Sequence, residues 1–262
     1  IGSINNYYYR NKMEFTFSNK RWLSLEEIQS EEEISNKDAL GFHVPGMFDK
    51  VINIKDCHLQ KDPSNTIRLS VKRFADKNKL TYFDIRNQKG LLRNLIIRTA
   101  STNDLMVLVQ FFEDDKNNIN LLMEHLKIAF PEITSLLYII NQKANNTIYD
   151  QEVICYDGKD HIMEEIDGLY FKIGAKSFFQ TNSEQAKILY RKTKELAQIK
   201  KEDIVYDLYT GTGTIAQYVS VSAQKVVGID YVEEGIQAAY ENAKRNKIDN
   251  CTFYTGDMKE IF

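Results

Sequence analysis

Proline is scarce in this chain, with three residues in 262. No Pro-rich linker marks a domain boundary, and no internal repeat or low-complexity segment does so either. Cysteine is equally sparse. Cys57, Cys155 and Cys251 lie far apart, and three thiols cannot all pair within one chain. That pattern argues against a disulfide framework and for a reducing, cytoplasmic compartment. No apolar run reaches the roughly 18 residues that a membrane span needs. The opening stretch, IGSINNYYYRNKMEF, has neither the apolar core of a secretory signal nor a starting Met, so a fragment is expected. An excess of charge of one sign is missing too. The net charge of −3 gives no global argument for nucleic-acid binding.

What is present is a globular composition, 43% hydrophobic and 27% charged, long enough for one large domain or two ordinary ones. One segment departs from neutrality. Arg68, Lys72, Arg73, Lys77, Lys79, Arg86, Lys89, Arg93 and Arg98 face just Asp76 and Asp84. Such a block either neutralises phosphates or forms a solvated helix face and a strand edge.

The hydrophobic pattern changes style near residue 176. Before it, short β segments dominate. KMEFTFS alternates Met13, Phe15 and Phe17 on one face, a period of two. LGFHVPGMFDKVINI reads as two strands around a Pro45-Gly46 turn. Asp62-Pro63 is placed as an N-cap with Pro at the first helical position, and Ile67, Val71 and Phe74 follow at helical spacing. LLRNLIIRTA and DLMVLVQFF flank STND, a predicted hairpin. A second helix is expected over about 118–130, then strands in SLLYIIN, NTIYDQEVICY and LYFKIG. Cys155 and Cys251 fall in strands and read as core; Cys57 alone reads as a buried or free thiol. This is an α+β pattern with a mostly antiparallel sheet.

After residue 176, β and α alternate. Asn182 caps a helix with Gln185 three residues on. IVYDLY is a strand, followed by a glycine turn and a helix from about 214. KVVGID ends a second strand at Asp230. Ile236, Ala239, Tyr240 and Ala243 form a stripe on the next helix. CTFYTGD ends a third strand at Asp257. This is half of a doubly wound parallel fold, and three parallel strands are too few for a complete domain.

The stretch VYDLYTGTGTIAQ carries the chemistry. Gly211 and Gly213 permit a sharp turn and close approach of a ligand to the backbone. Asp230 and Asp257 sit at the next strand ends, where ligands bind in open α/β sheets. Either acid alone is also an ordinary helix cap. Read as G-x-G-x-x-A, through Ala216, the loop passes the dinucleotide fingerprint. Asp207 and Tyr209 tilt the reading from a pyrophosphate towards the sulfonium and amino groups of S-adenosylmethionine. An NAD-dependent oxidoreductase remains the alternative.

With KSFFQTNSEQAKILY upstream and VVGIDYVEEGIQAAYENAKRNKIDNCTFYTGDMKE downstream, the sequence resembles the RNA uracil-C5 methyltransferases of the RumA and TrmA type. These make 5-methyluridine in 23S ribosomal RNA or transfer RNA. YYRNKMEFTFS, LGFHVPGMFDKVINIKDCHLQ and LLRNLIIRTASTNDLMVLVQ are similar to the family's central domain, in that order. The resemblance implies an α/β protein with a central α+β domain over 1–176. It is followed by the N-terminal half of a Rossmann-like, S-adenosylmethionine-dependent methyltransferase domain over 177–262.

It also implies roles. Gln180, Tyr209, Gly211 and Gly213 would contact S-adenosylmethionine, Asp230 its ribose and Asp257 the adenine side. Phe178 would sit by a uracil taken out of its stack. Arg10 would touch RNA backbone. Cys57 matches one ligand of a 4Fe-4S cluster found in many members, whose other three cysteines precede this segment. The family's nucleophilic Cys and general base lie beyond the third strand. No catalytic residue is therefore expected here, and the fragment alone is expected to be inactive. The motif around GFHVPGMFDKVINIKDC leans to ribosomal over transfer RNA. No membrane contact and no obligate protein partner are expected. A non-catalytic RNA-binding fragment is the further alternative.

Overall fold

The computed structural model describes residues 2–30, 34 and 36–258. The chain divides into two compact units: Tyr7–Thr99 with Leu105–Asp160, and Ile1–Asn6 with Ala100–Asp104 and His161–Phe262. The hydrophobic pattern changes near residue 176, whereas this division falls between Asp160 and His161.

The first unit comprises β1 (Lys12–Ser18), α1 (Leu25–Gln29), β2 (Ala39–Val44), β3 (Met47–Asn53), α2 (Ser64–Lys77), β4 (Leu92–Thr99), β5 (Leu105–Phe111), α3 (Lys116–Ala129), β6 (Ser135–Ile140) and β7 (Ile154–Gly158). Its strands form one sheet in the order β3-β2-β1-β4-β5-β6-β7, antiparallel at every junction except β5–β6. The period of two in β1 turns Met13, Phe15 and Phe17 into the core. There they meet Ile67, Val71 and Ala75 of α2 and Ile119, Leu122, Met123 and Leu126 of α3. Each such side chain contributes about 1.5–3 kcal/mol by leaving water.

Helix α2 begins at Ser64, with Pro63 in the cap position and no side-chain cap bond of its own. The Asp62 carboxylate instead accepts from the Thr66 amide at 3.2 Å, so it serves the helix from one residue further out. Strand β7 is shorter than NTIYDQEVICY promised, and Cys155 in it is exposed. β7 is one of the two outer strands of the sheet, and none of its residues is fully buried.

The basic block resolves into neither of the two expected forms. Arg68, Arg93 and Arg98 are buried. Arg68 donates to the carbonyls of Ile54 and Lys55 and to Asn65 Oδ1. Arg93 lies over the rings of Phe83 and Phe112 and donates to the carbonyls of Asn141, Lys143 and Asn145 and to Asn146 Oδ1. A guanidinium offers five donors in a fixed fork, enough to organise a whole loop. Burial lowers the pKa of Arg93 and of Arg98 to about 10. Lys72 pairs with Asp76 and Arg86 with Asp49. What is left exposed and outside these pairs is Arg73, Lys77, Lys79 and Lys89.

The second unit adds β8 (His161–Ile166), β9 (Leu169–Gly174), α4 (Ser183–Ala197), β10 (Ile204–Leu208), α5 (Thr214–Ser220), β11 (Lys225–Asp230), α6 (Glu233–Arg245) and β12 (Cys251–Thr255). β10, β11 and β12 form a parallel sheet in that order, and β8 pairs with β9 as an antiparallel hairpin. Ala216, Val219, Val226, Ile236, Ala239, Ala243 and Phe253 make its core. A Cβ on Gly228 would lie 2.5 Å from the Phe253 ring, so glycine is what lets that ring cross the strand. Tyr240 is not part of the buried stripe. It stands at the rim with its hydroxyl donating to the Phe253 carbonyl, and Asn242 takes the interior position.

Asn242 and Asn246 replace a neighbouring strand for β9. Asn242 Oδ1 accepts from the Lys172 amide at 2.8 Å, and Asn246 Oδ1 accepts from the Tyr170 amide at 2.8 Å. Residues one helical turn apart are about 6 Å apart, close to the roughly 6.7 Å spanned by two residues of a strand. The match lets one helix face read alternate amides of β9. Asn242 is fully buried and its Nδ2 also donates to the Thr212 carbonyl. Asn242→Ala is expected to lower stability by about 1–3 kcal/mol in urea titrations, since it strands buried backbone groups. Asn246→Ala, at a half-exposed position, is expected to cost less; the reverse order would refute the clamp.

Candidate functional site

The carboxyl ends of three adjacent parallel strands meet at one edge of the second unit. Asp207 stands near the end of β10, Asp230 closes β11, and Asp257 follows β12. Register places Asp207 beside Gly228 and Asp230 beside Thr255. Between β10 and α5 the loop uses left-handed backbone at Tyr209, Gly211 and Gly213, with φ of 65°, 55° and 74°. A tyrosine there is an uncommon choice and is held by its neighbours. Thr210 donates its amide to the Ile229 carbonyl, and Gly213 donates to the Thr210 carbonyl. A Cβ at Gly213 would sit 2.8 Å from that of Ala239, whereas one at Gly211 would meet nothing. Gly213 is thus needed for packing, and Gly211 faces open space.

Asp207 organises this loop. Its Oδ2 accepts from the Thr210 hydroxyl at 2.7 Å and from the Ala216 amide at 2.9 Å. Gly213 caps α5 without a side-chain bond, so Asp207 supplies from a distance the carboxylate that a helix start favours. Its Oδ1 has no hydrogen-bond partner among the described residues. Burial raises the Asp207 pKa; the Thr210 and Ala216 donors pull it back, and the charge of Asp230 raises it further. Asp230 accepts from the Gly211 amide through Oδ2 at 2.8 Å and from the Val232 amide through Oδ1 at 2.9 Å. Each oxygen keeps a second lone pair for a hydroxyl donor.

This donor set suits a cation better than a pyrophosphate. The helix start already carries a carboxylate, with a second carboxylate close enough to raise its pKa. Exposed rings add π faces nearby: Tyr209 is 75% exposed, and Tyr231 follows Asp230 directly.

The segment before α4 splits its two phenylalanines. Phe179 is buried against Phe171, while Phe178 is 73% exposed. Gln180 is exposed, and Asn182 Oδ1 accepts from the Gln185 amide at 3.0 Å to cap the helix. Beneath this segment lies a carboxylate that sequence reasoning missed. Glu164 of β8 is 1% exposed and accepts from the Ser183 hydroxyl at 2.7 Å and from the Ser101 and Glu165 amides. It fixes the start of α4, and with it the segment 178–182. The signal was in the alternation of β8, which puts Glu164 on the inward face with Ile162 and Ile166.

Arg10 belongs to the first unit, where its amide donates to the Leu59 carbonyl and its Nε to the Lys12 carbonyl. Cys57, also of the first unit, is buried, and the Asn65 side chain bonds both its amide and its carbonyl. Among the described residues no group of three or more His, Cys, Asp or Glu could hold a metal ion. Cys57 offers one thiolate where a 4Fe-4S cluster takes four, so these residues by themselves do not hold one. Cys251 is half-buried rather than fully in the core, and burial pushes its thiol up to about 11. No helix among the described residues is long and apolar enough to cross a membrane.

Fold and loop are those of an S-adenosylmethionine-dependent methyltransferase. A family model described as "Methyltransferase domain" matches residues 199–262. Two curated proteins called "Uncharacterized RNA methyltransferase" align with all of this chain. The one from Porphyromonas gingivalis is 53% identical over 266 residues and 57% covered; that from Bacteroides thetaiotaomicron is 51% identical over 264 residues and 58% covered. The crystal structure of Pyrococcus abyssi tRNA (uracil-54, C5)-methyltransferase in complex with S-adenosyl-L-homocysteine matches 97% of this chain and 57% of its own, at 25% identity and a TM-score of 0.75. Along its whole length the chain is similar to these RNA methyltransferases. It spans little more than half the length of the curated relatives it matches.

A raised carboxyl pKa has a definite sign. Asp207 contributes most to stability at low pH, and that contribution is lost as pH rises through its folded pKa. Asp207→Asn keeps an acceptor for Thr210 and Ala216 and removes the charge. Without cofactor, the variant is expected to be at least as stable as the parent at pH 7. Its advantage should vanish below about pH 4, where the parent carboxyl is also neutral. Thermal melts across pH check this, and a variant that is less stable at pH 7 contradicts it.

Proposed function

We propose that this chain is the central domain and the cofactor-holding part of an enzyme that methylates uracil C5 in RNA, with S-adenosylmethionine as methyl donor. The observation that carries the cofactor assignment is the Asp207 carboxylate occupying the start of α5. A pyrophosphate needs that position free of negative charge. The cofactor, when bound, supplies an electrophilic methyl group on a sulfonium. The residues of this chain hold and orient it. Asp207 Oδ1 takes a cationic donor, Asp230 takes ribose hydroxyls, and Asp257 and Gln180 contribute polar contacts at the rim. Tyr209 offers a ring face to the positive charge. Phe178, exposed while its neighbour Phe179 anchors the segment, is placed to stack on an extruded base.

Uracil C5 is a weak nucleophile. Covalent activation at C6 by a thiolate, followed by removal of the C5 proton by a base, would solve that problem. None of the three cysteines here suits the role. Cys57 is buried, and burial raises the thiol pKa of both Cys155 and Cys251, the latter to about 11. The nucleophile and base are therefore assigned outside these 262 residues, and this chain alone is expected to bind cofactor without turnover. The target RNA is taken as ribosomal on the central-domain motif. Transfer RNA is the second reading, favoured by the substrate of the Pyrococcus protein.

Full-length protein should release tritium from RNA carrying 5-tritiated uridine when S-adenosylmethionine is added. Ribosomal and transfer RNA transcripts run in parallel decide between the two substrates. No tritium release from either would sink the C5 assignment. In calorimetric titrations, S-adenosylhomocysteine should bind and NADH should not. Asp207→Asn should weaken the methyl donor at least about tenfold, the order expected for one lost charge-assisted hydrogen bond. Tighter binding of NADH would restore the oxidoreductase alternative.

A further inference from the structure

Tyr7, Tyr8 and His58, all in the first unit, form an aromatic cluster on the surface. Tyr7 is 66% exposed, Tyr8 is 42% exposed, and His58 is exposed. Both tyrosine rings stand nearly perpendicular to the imidazole, with centroids 6.2 and 5.8 Å from it. A perpendicular pair covers at most one face of each ring, so flat π surface stays open to solvent. The cluster is built rather than incidental. Tyr8 adopts a left-handed φ of 56°, an uncommon conformation for a tyrosine. It is held there by its amide on the His58 carbonyl at 2.7 Å and its hydroxyl on His58 Nδ1 at 2.9 Å.

Positive charge lies beside it. Arg10 follows two residues on, its amide bonded to the Leu59 carbonyl next to His58. Lys12 is paired across the sheet with Arg98. Burial lowers the pKa of Lys12, the charge of Arg98 lowers it further, Glu14 opposes this, and Arg10 adds to the lowering. Arg10 Nε also donates to the Lys12 carbonyl, so the backbone brings Arg10, Lys12 and Arg98 together. Open ring faces next to clustered cations are the two parts of a single-strand nucleic-acid contact: faces stack on unpaired bases, and cations take the phosphates between them.

We propose that Tyr7, Tyr8 and His58 form a stacking platform for unpaired bases of the RNA, with Arg10 and Lys12 on its phosphates. The inference rests on the reading that the protein acts on RNA and adds residues outside those of the cofactor loop. A paired helix hides its base faces, so the platform selects single strands or loops.

Full-length protein tests it by fluorescence anisotropy with a labelled 12-nucleotide single strand and a duplex of the same sequence. The single strand should bind more tightly. Tyr7→Ala and Tyr8→Ala should each weaken it by roughly five- to tenfold, within the range for loss of one base–aromatic stack. Tyr8→Phe keeps the ring and should stay within about twofold of the parent. S-adenosylhomocysteine affinity, measured on every variant, should not move. Unchanged single-strand affinity in Tyr7→Ala and Tyr8→Ala, with cofactor binding intact, overturns the platform and leaves the methyltransferase reading standing. Equal affinity for duplex and single strand overturns stacking as the mode of contact. Absence of RNA binding by the parent, with cofactor still bound, overturns the RNA reading itself.

Discussion

The second unit depends on one carboxylate oxygen. Asp207 Oδ2 ties the Thr210 hydroxyl and the Ala216 amide to the end of β10. Three consequences follow from that single clamp. The glycine turn is held in its alternating left-handed form, α5 receives its cap, and negative charge is fixed where a phosphate would otherwise bind. Asp230 completes the arrangement by holding Gly211. Its charge also contributes to the raised pKa of Asp207. Two anions kept near each other in a partly buried place cost the ligand-free protein stability. A cation held at Asp207 would relieve that cost, which is why the proposed methyl donor suits this place.

Elsewhere the protein places buried polar groups where a backbone needs a partner. Asn242 and Asn246 complete the bonding of β9, Glu164 holds the start of α4, and Arg93 gathers the carbonyls of Asn141, Lys143 and Asn145. Each side chain satisfies several groups at once. A buried donor or acceptor left alone costs more than an added bond contributes, so such multi-partner residues make one local geometry preferable to the alternatives. For Arg93 this turned a residue that looked like a phosphate contact into a piece of the core.

Much was legible in the sequence because the pattern and the structure share a period. Alternation in KMEFTFS, the hairpin around STND, the cap at Asn182 and the strand–turn–helix at VYDLYTGTGTIA all depend on neighbours within a few residues. The same locality explains the misses. Asp62-Pro63 was displaced by one position at the start of α2, because an aspartate can reach a helix amide from just outside the cap. Glu164 was passed over because the stretch HIMEEI was not read as a strand, so its alternation went unused. Cys155 was counted as core because a β segment does not reveal whether it lies inside a sheet or at its edge.

The sequence by itself determined the order of most strands and helices, α1 and β8 excepted, together with the glycine turn and the acids at the strand ends, because backbone propensity and hydrophobic period are local properties. Tertiary structure alone decided which of Phe178 and Phe179 faces solvent. It also decided which arginines of the basic block are buried, and that Asp207 serves a helix nine residues away along the chain. Those outcomes depend on groups distant in sequence arriving within hydrogen-bond reach, where desolvation makes an unpaired charge costly and a paired one specific.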